Sequence, residues 1–418
     1  MPVDKIKVVD ARMGRGKSAA AIRYIEENKG DHPILYITPY LSEVERVCQC
    51  CDMEEPKQDD AFEEEDAQHE QHISKSVLLK NHLRDGDSVG ATHSLFYLMD
   101  DEALALVREK HYGLIIDEAI SVINKVNISK YDMDLLLSQL AEVGEDGRLI
   151  WLNEKYQGKL NGYKRMVQSN SIYLSAGELT SVLNPDLLHA FDEVYILTYR
   201  FKGSELNAYL NCFGFEYEIY GVGNGGECFV QGADKAPPMD LSKLLRFNND
   251  YDYNKEGLKD FSLSKHWYET RYYDDPEIKE LRRVMTNFLR RTRGKGSSKL
   301  RMWTCFAAHK DLLIPERGYC KDNFVPLNAR ATNMYRECTQ LAYMVNRFES
   351  PAVIKFFGKY GVQLDRDEIA LSEMLQWIWR SAIRDGKPVN LYIPSYRMRH
   401  LLIDWMNEVK KGTIANEE

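Results

Sequence analysis

Residues 6–27 read IKVVDARMGRGKSAAAIRYIEE, and the middle of that stretch decides the fold. IKVVD is a β-branched, apolar run that predicts a strand, and KSAAAIRYIEE carries helical spacing. Between them, Ala11-Arg-Met-Gly14-Arg-Gly16-Lys17-Ser18 has the form AxxGxGKS. Glycines at such a turn let backbone N–H groups curl around an anion, and the helix start adds partial positive charge. Lys17 then reaches the β- and γ-phosphates of a nucleotide, while the Ser18 hydroxyl is offered to Mg²⁺. Gly14, Gly16, Lys17 and Ser18 are therefore the expected binders of ATP. Ala11 stands where the pattern usually has its first glycine.

A second landmark lies about a hundred residues on. LIIDEAI, residues 114–120, is an apolar strand ending in Asp117 and Glu118. Strand ends in parallel α/β sheets lie at the ligand crevice, so Asp117 is expected on the Mg²⁺ and Glu118 on the attacking water. The plainer reading, an acidic pair opening a helix, has its own physical basis in the helix dipole.

The rest of the first 200 residues alternates strand and helix signals, with strands at 33–38, 88–91, 113–117, 171–175 and 193–198. That rhythm predicts a parallel sheet flanked by helices. Residues 53–70 are rich in Asp, Glu and Gln and read as an acidic insertion. Regularity is lost over 201–298, where GVGNGG (221–226) and an aromatic stretch suggest a connecting region. It returns from 299 to 418, with LRMWTCF as a strand, helices expected over 337–348 and 372–384, and a last strand at 389–393. The expected architecture is two α/β lobes, 1–200 and 299–418, with an irregular middle segment.

The chain has 418 residues and a net charge of −9, so a polyanion partner must meet a local basic face. One run supplies it. From Arg282 to Arg301 there are eight basic residues and no acidic one, among them Arg290, Arg291, Arg293 and Lys295. Each phosphate neutralised there adds about 0.9 to the log–log salt slope on duplex DNA. A solvated basic helix and linker accounts for the same composition. Arg397, Arg399 and His400 extend the basic character near the C-terminus. No apolar stretch approaches the roughly 20 residues of a bilayer span, so no membrane partner is expected. Eight cysteines are too irregular for a disulfide framework. Cys48, Cys50 and Cys51, followed by His69 and His72, lack the second half of a zinc motif and read as reduced thiols. The expected compartment is the cytoplasm, that of the host cell if the protein is viral.

GKS followed by DEAI resembles the first two landmarks of superfamily 2 helicases, the DEAD/DEAH-type motors, and the compact plan is similar to viral or phage replication types. DEAISVINKV is also similar to the first lobe of herpesvirus-type origin-binding helicases. The resemblance implies two RecA-like lobes, ATP and Mg²⁺ as cofactors, and DNA or RNA as track, with replication proteins as possible partners. It implies nucleic-acid contacts at Thr38 in ITPY (37–40) and at Thr92 and His93 in GATHS (90–94). Ser175-Ala-Gly177 is similar to the motif that couples hydrolysis to lobe movement. Gln376-Trp-Ile-Trp-Arg380-Ser-Ala-Ile-Arg384 resembles the arginine-bearing motif that reaches the γ-phosphate, with Trp379 in place of glycine. A helix would put Gln376, Arg380 and Arg384 on one face. Arg330, in NARATN, occupies the place of a further second-lobe motif. The function expected is ATP-driven movement on nucleic acid, as a helicase or translocase. Two alternatives share the nucleotide site: a viral DNA-packaging ATPase, which needs a nuclease carboxylate cluster, and a non-motor adaptor or loader gated by ATP. Asp365, Asp367 and Glu368 are the nearest approach to such a cluster, in a hydrophilic stretch.

Overall fold

The computed structural model describes residues 5–57, 74–118, 120–175, 177–247, 254–291, 297–315, 323–327 and 333–412. It has the expected class, α/β with parallel sheets flanked by helices. Two compact units divide the chain: Met1–Asp234 with Glu349–Leu364, and Lys235–Phe348 with Asp365–Glu418. The boundaries expected at 200 and 298 are thus displaced, and the irregular middle segment is shared between the units. Most of the acidic insertion lies outside the described residues. No helix among the described residues is long and apolar enough to cross a membrane.

The first unit is built on β1 (Ile6–Asp10), β2 (Ile34–Thr38), β3 (Val89–Thr92) and β4 (Gly113–Asp117). Then come β5 (Ile123–Lys125), β6 (Ala141–Val143), β7 (Leu149–Trp151), β8 (Ile172–Ser175) and β9 (Glu178–Val182). Last are β10 (Glu193–Thr198), β11 (Tyr217–Val222) and β12 (Phe229–Gln231). Seven of these form one sheet in the order β12-β11-β1-β10-β4-β2-β3, parallel except for β12. β2 and β4 are buried at every position. Both of their faces are covered, which is why they read as unbroken apolar runs. On β2, Leu35 and Ile37 join the core on one face while Ile34 and Tyr36 join the core on the other. Helix Lys17–Glu27 seals the second face with Ala20, Ala21 and Ile25.

Between β4 and β10 the chain leaves this sheet. β5, β9 and β8 make a separate antiparallel sheet, and β6 and β7 a hairpin, over a small core that includes Leu136, Trp151, Ile172 and Leu179. This corrects the reading of Ser175-Ala-Gly177 as a coupling motif at a main-sheet strand end. Ser175 pairs with Glu178, and Gly177 sits at φ +76°, so these residues close the hairpin between β8 and β9. The strand that does lie between β1 and β4 is β10. A short apolar run such as IYLS does not encode which sheet it joins; that depends on partners far away in sequence.

Helix Pro351–Lys359 belongs to the first unit although the segments on either side of it belong to the second. Val353, Phe356 and Phe357 enter the first unit's larger core, and Phe356 meets the Tyr173 ring edge-on at 5.3 Å.

The second unit carries β13 (Leu245–Phe247), β14 (Arg301–Thr304), β15 (Gln340–Tyr343) and β16 (Val389–Tyr392), all parallel, in the order β13-β16-β15-β14. A strand at β15 replaces the helix expected over 337–348. Gln340 is buried there and donates to Phe288 O at 3.0 Å while accepting from Asn390 at 3.1 Å. Those distant partners, rather than local spacing, hold the segment extended.

Candidate functional site

β1 ends at Asp10, and the backbone turns at once: Ala11 N donates to Thr198 O of β10 at 3.2 Å. Gly14 and Gly16 have φ of +79° and +89°, a conformation that costs a residue with a Cβ roughly 1–2 kcal/mol. Lys17 follows as the first residue of the helix. Its ammonium lies inside the loop, on the carbonyls of Ala11 and Arg12, and burial pushes its pKa down against the pull of Asp117, Asp10 and Glu118.

Asp117 sits at the end of β4, two strands from β1, with β10 between. The Ser18 hydroxyl donates to its Oδ2 at 2.7 Å, across 99 positions of sequence. Tyr36 of β2 donates to the same oxygen at 2.5 Å. Desolvation raises the Asp117 carboxyl above its ordinary range, while the bonds from Tyr36 and Ser18 and the nearby Lys17 charge oppose that rise. The oxygen donors Ser18 and Asp117, converging beside a glycine turn, suit a hard cation such as Mg²⁺. Glu118 is exposed, at φ +65°, and accepts from the Tyr40 hydroxyl at 2.9 Å.

Sequence reading overlooked a second glycine element. GVGNGG ends in a turn that lies directly on the first loop: a Cβ placed on Gly16 would be 2.8 Å from Gly226 Cα. Gly226 has φ +80°, and a Cβ there would be 3.0 Å from Gly16 O. Arg15 holds the far side of this element, pairing with buried Asp234 at 3.4 Å and donating to Val222 O at 3.4 Å. The signal was present as a run of glycines, but the partner that makes it meaningful is about 210 residues away. Tyr36 was missed for a related reason, since a tyrosine in a buried strand reads as core, and Tyr40 because it stands in the short link after that strand.

Several expected contacts need correction. Thr38 is 1% exposed, so its hydroxyl does not face a nucleic-acid backbone. Thr92 caps helix His93–Phe96 by accepting from Leu95 N at 3.4 Å. Burial lowers the His93 pKa to about 4, so the ring is neutral near pH 7 and brings no charge to a phosphate. The basic run is not one face. Arg282 is buried, donating to Leu312 O and Tyr273 O at 3.1 Å each, Arg283 pairs with Glu280, and Arg301 is buried. Arg290 and Arg291 are exposed; Arg293 and Lys295 lie outside the described residues, as does Arg330. Arg397 pairs with Asp367, and Arg399 is buried on the carbonyls of Ile393 and Pro394.

Gln376, Arg380 and Arg384 do not share a helix face, because helix Arg366–Ile378 ends first. Arg380 donates to Leu327 O at 2.9 Å, and exposed Arg384 lies in the short turn Ala382–Asp385. Asp365 caps that helix, accepting from the backbone of Asp367 and Glu368 at 3.0 Å each. The Cys48 and Cys51 thiols are buried, which pushes each up to about 11 and makes them poor ligands and nucleophiles. His69 and His72 lie outside the described residues.

Comparison with known proteins sets this geometry in a family. Residues 239–406 match the family described as the YonV C-terminal Rossmann-like domain. The whole chain is 34% identical over 417 residues to the SPbeta prophage-derived uncharacterized protein YonV of Bacillus subtilis strain 168, covering 97% of this chain and 99% of that one. The chain belongs to the YonV family. This overturns the assignment to superfamily 2 helicases: the matched second half is that of a YonV-type Rossmann-like domain. The helicase resemblance rested on short motifs, and in the second half Arg380 and Arg384 lie beyond the helix end that was to align them. What the first unit retains is the converged set Lys17, Ser18 and Asp117, with Glu118 next to it, which stands on geometry without a family label.

Proposed function

We propose that this chain binds ATP with Mg²⁺ at the glycine loop of its first unit, hydrolyses it, and uses the cycle to move along nucleic acid as a helicase or translocase. One observation supports the nucleotide reading above the others, the 2.7 Å bond from Ser18 to Asp117. It brings together a hydroxyl at a helix start and a carboxylate at a strand end, beside a lysine whose ammonium rests on the backbone carbonyls of Ala11 and Arg12. Incoming phosphates would take Lys17 from the Ala11 and Arg12 carbonyls, exchanging neutral acceptors for a charged one. The stronger, charge-assisted bond drives that exchange. Ser18 and Asp117 would hold Mg²⁺, which supplies charge neutralisation at the phosphate oxygens. Glu118 would orient the attacking water and accept its proton, and the Gly226 turn would close the phosphate site on its open flank.

The nucleic-acid part rests on the exposed Arg290 and Arg291 of the second unit. A place in the cytoplasm of a bacterial host, among phage replication proteins, agrees with the prophage origin in the relative's name.

The test is ATP turnover with and without single-stranded DNA, duplex DNA and RNA, across a salt series. Lys17→Ala is expected to reduce turnover by roughly a hundredfold or more. A Lys17→Ala variant with normal turnover removes the nucleotide reading. Turnover that no strand stimulates removes the motor and leaves an ATP-gated adaptor, and Mn²⁺-dependent nuclease activity replaces it with a packaging enzyme.

A further inference from the structure

Arg15 stands between Gly14 and Gly16, so its backbone belongs to the phosphate loop, but its side chain is bonded to a different element. Its Nε and Nη2 lie 3.4 Å from the two carboxylate oxygens of Asp234, and Nη2 is also 3.4 Å from Val222 O at the end of β11. Asp234 is 4% exposed and accepts from Val222 N at 3.4 Å. Charge-assisted bonds of this kind usually measure about 2.7–2.9 Å, so the pair is loosely made. Arg15 Nε and Asp234 Oδ2 are both buried without a hydrogen-bond partner. A desolvated pair so incompletely bonded is open to exchange for a better one.

Asp234 is nonetheless built into place. After β12 the chain doubles back over β11, with Gly232 N donating to Ile219 O at 2.8 Å. Only a small residue at 221 permits this, since a Cβ there would be 2.6 Å from Asp234 Cα. The Asp234 charge also extends beyond Arg15. Burial lowers the pKa values of Lys17 and Arg12, and Asp234 opposes that lowering at both. Three cations of the loop thus lie in the field of one buried carboxylate. Nucleotide phosphates need the same positive field, and they carry the same sign of charge as Asp234.

We propose that Asp234 is a positioning residue that competes with the nucleotide: acting through Arg15, its carboxylate occupies the loop's positive field, and phosphate binding loosens the Arg15–Asp234 pair. The inference rests on the nucleotide reading above and adds a regulator to it. Asp234 ends the segment Met1–Asp234 of the first unit, and the chain then passes into the second. Loosening it carries nucleotide occupancy to that junction, and by reciprocity whatever pulls on the junction alters ATP affinity.

The experiment measures MgATP binding to the full chain by calorimetry, for the parent, Asp234→Asn, Arg15→Gln and the double variant, with Lys17→Ala as the blank. Asp234→Asn keeps the shape and removes the competing charge, so Kd is expected to fall about tenfold. Arg15→Gln leaves the carboxylate unopposed and should raise Kd about tenfold, while the double variant should return to within about threefold of the parent. A purely structural pair would weaken binding in all three. Hydrogen exchange is the second readout: ATP should speed exchange at Val222 and at 232–234 in the parent and leave it unchanged in Asp234→Asn. A Kd that holds or rises in folded Asp234→Asn overturns the competition, as does slower exchange at 232–234 in the ATP-bound parent. Should Asp234→Asn fail to fold, the double variant and the exchange of the parent decide the matter. If the parent binds ATP no better than Lys17→Ala, the nucleotide reading falls and this inference with it. Binding that Lys17→Ala abolishes and Asp234→Asn does not tighten sinks only the competition.

Discussion

A methyl group added at Gly226 tests whether the two glycine elements form one site. In the variant Gly226→Ala the new Cβ would lie 3.0 Å from Gly16 O and 3.1 Å from Gly16 Cα, both backbone atoms that cannot rotate away. The φ of +80° adds left-handed strain. That strain is worth about 1–2 kcal/mol and the crowding about 1–3 kcal/mol, for a total near 2–5 kcal/mol. Gly225→Ala is the internal control: its φ of +72° carries the same strain, but a Cβ there meets nothing within 4 Å. The two variants thus differ only by the clash with the phosphate loop. Titration with a fluorescent ATP analogue, alongside thermal unfolding, reads both possible outcomes of the strain. If the turn swings off the loop, affinity falls roughly 30- to 5,000-fold in Gly226→Ala, while Gly225→Ala loses no more than about 5- to 30-fold. If the fold absorbs it, the midpoint falls by about 5–15 °C against about 2–4 °C for the control. Equal behaviour of the two variants by both measures would refute the close approach on which the site rests.

Two further outcomes follow from other parts of the structure. His93 has its pKa lowered by burial from the ordinary 6.5 to about 4, so between those values the unfolded chain binds a proton that the folded chain does not. Stability is therefore complete above about pH 6.5 and lost as pH falls toward 4, by about 2–3 kcal/mol from this group. Urea unfolding of the parent and His93→Gln at pH 7 and pH 5 should show a smaller loss in the variant; equal losses would count against the neutral buried ring. Phe356→Ala should destabilise the first unit by about 3–5 kcal/mol, even though its neighbours in sequence belong to the second. Hydrogen exchange checks this, with faster exchange expected around β5 and β8, and unchanged protection there would contradict the packing of that helix.

The helicase-like reading of the second half went wrong in an instructive way. Glutamine and arginines at spacings of four fit a helix face, but Trp379 and the residues beyond it leave the helix, so the face does not exist. A run of eight basic residues looked like a polyanion surface, yet Arg282 spends its charge on buried carbonyls and Arg301 is itself buried. Sequence distance also hid the insertion between β4 and β10, because its strand IYLS (172–175) is as apolar as those of the main sheet.

What the sequence determined by itself is local and steric. A glycine adopts the left-handed turns at Gly14 and Gly16 at least cost, a strand-to-helix junction presents Lys17 and Ser18 together, and strands buried on both faces read as runs like ILYIT and GLIID. Those constraints act within a few residues, so they are visible along the chain. Tertiary structure alone decided which strand lies between β1 and β4, that Gly226 closes on Gly16, and that Tyr36 and Tyr40 hold the two carboxylates. Each of these depends on a contact between segments far apart in the chain, and burial against a distant partner leaves no periodicity in the sequence that makes it.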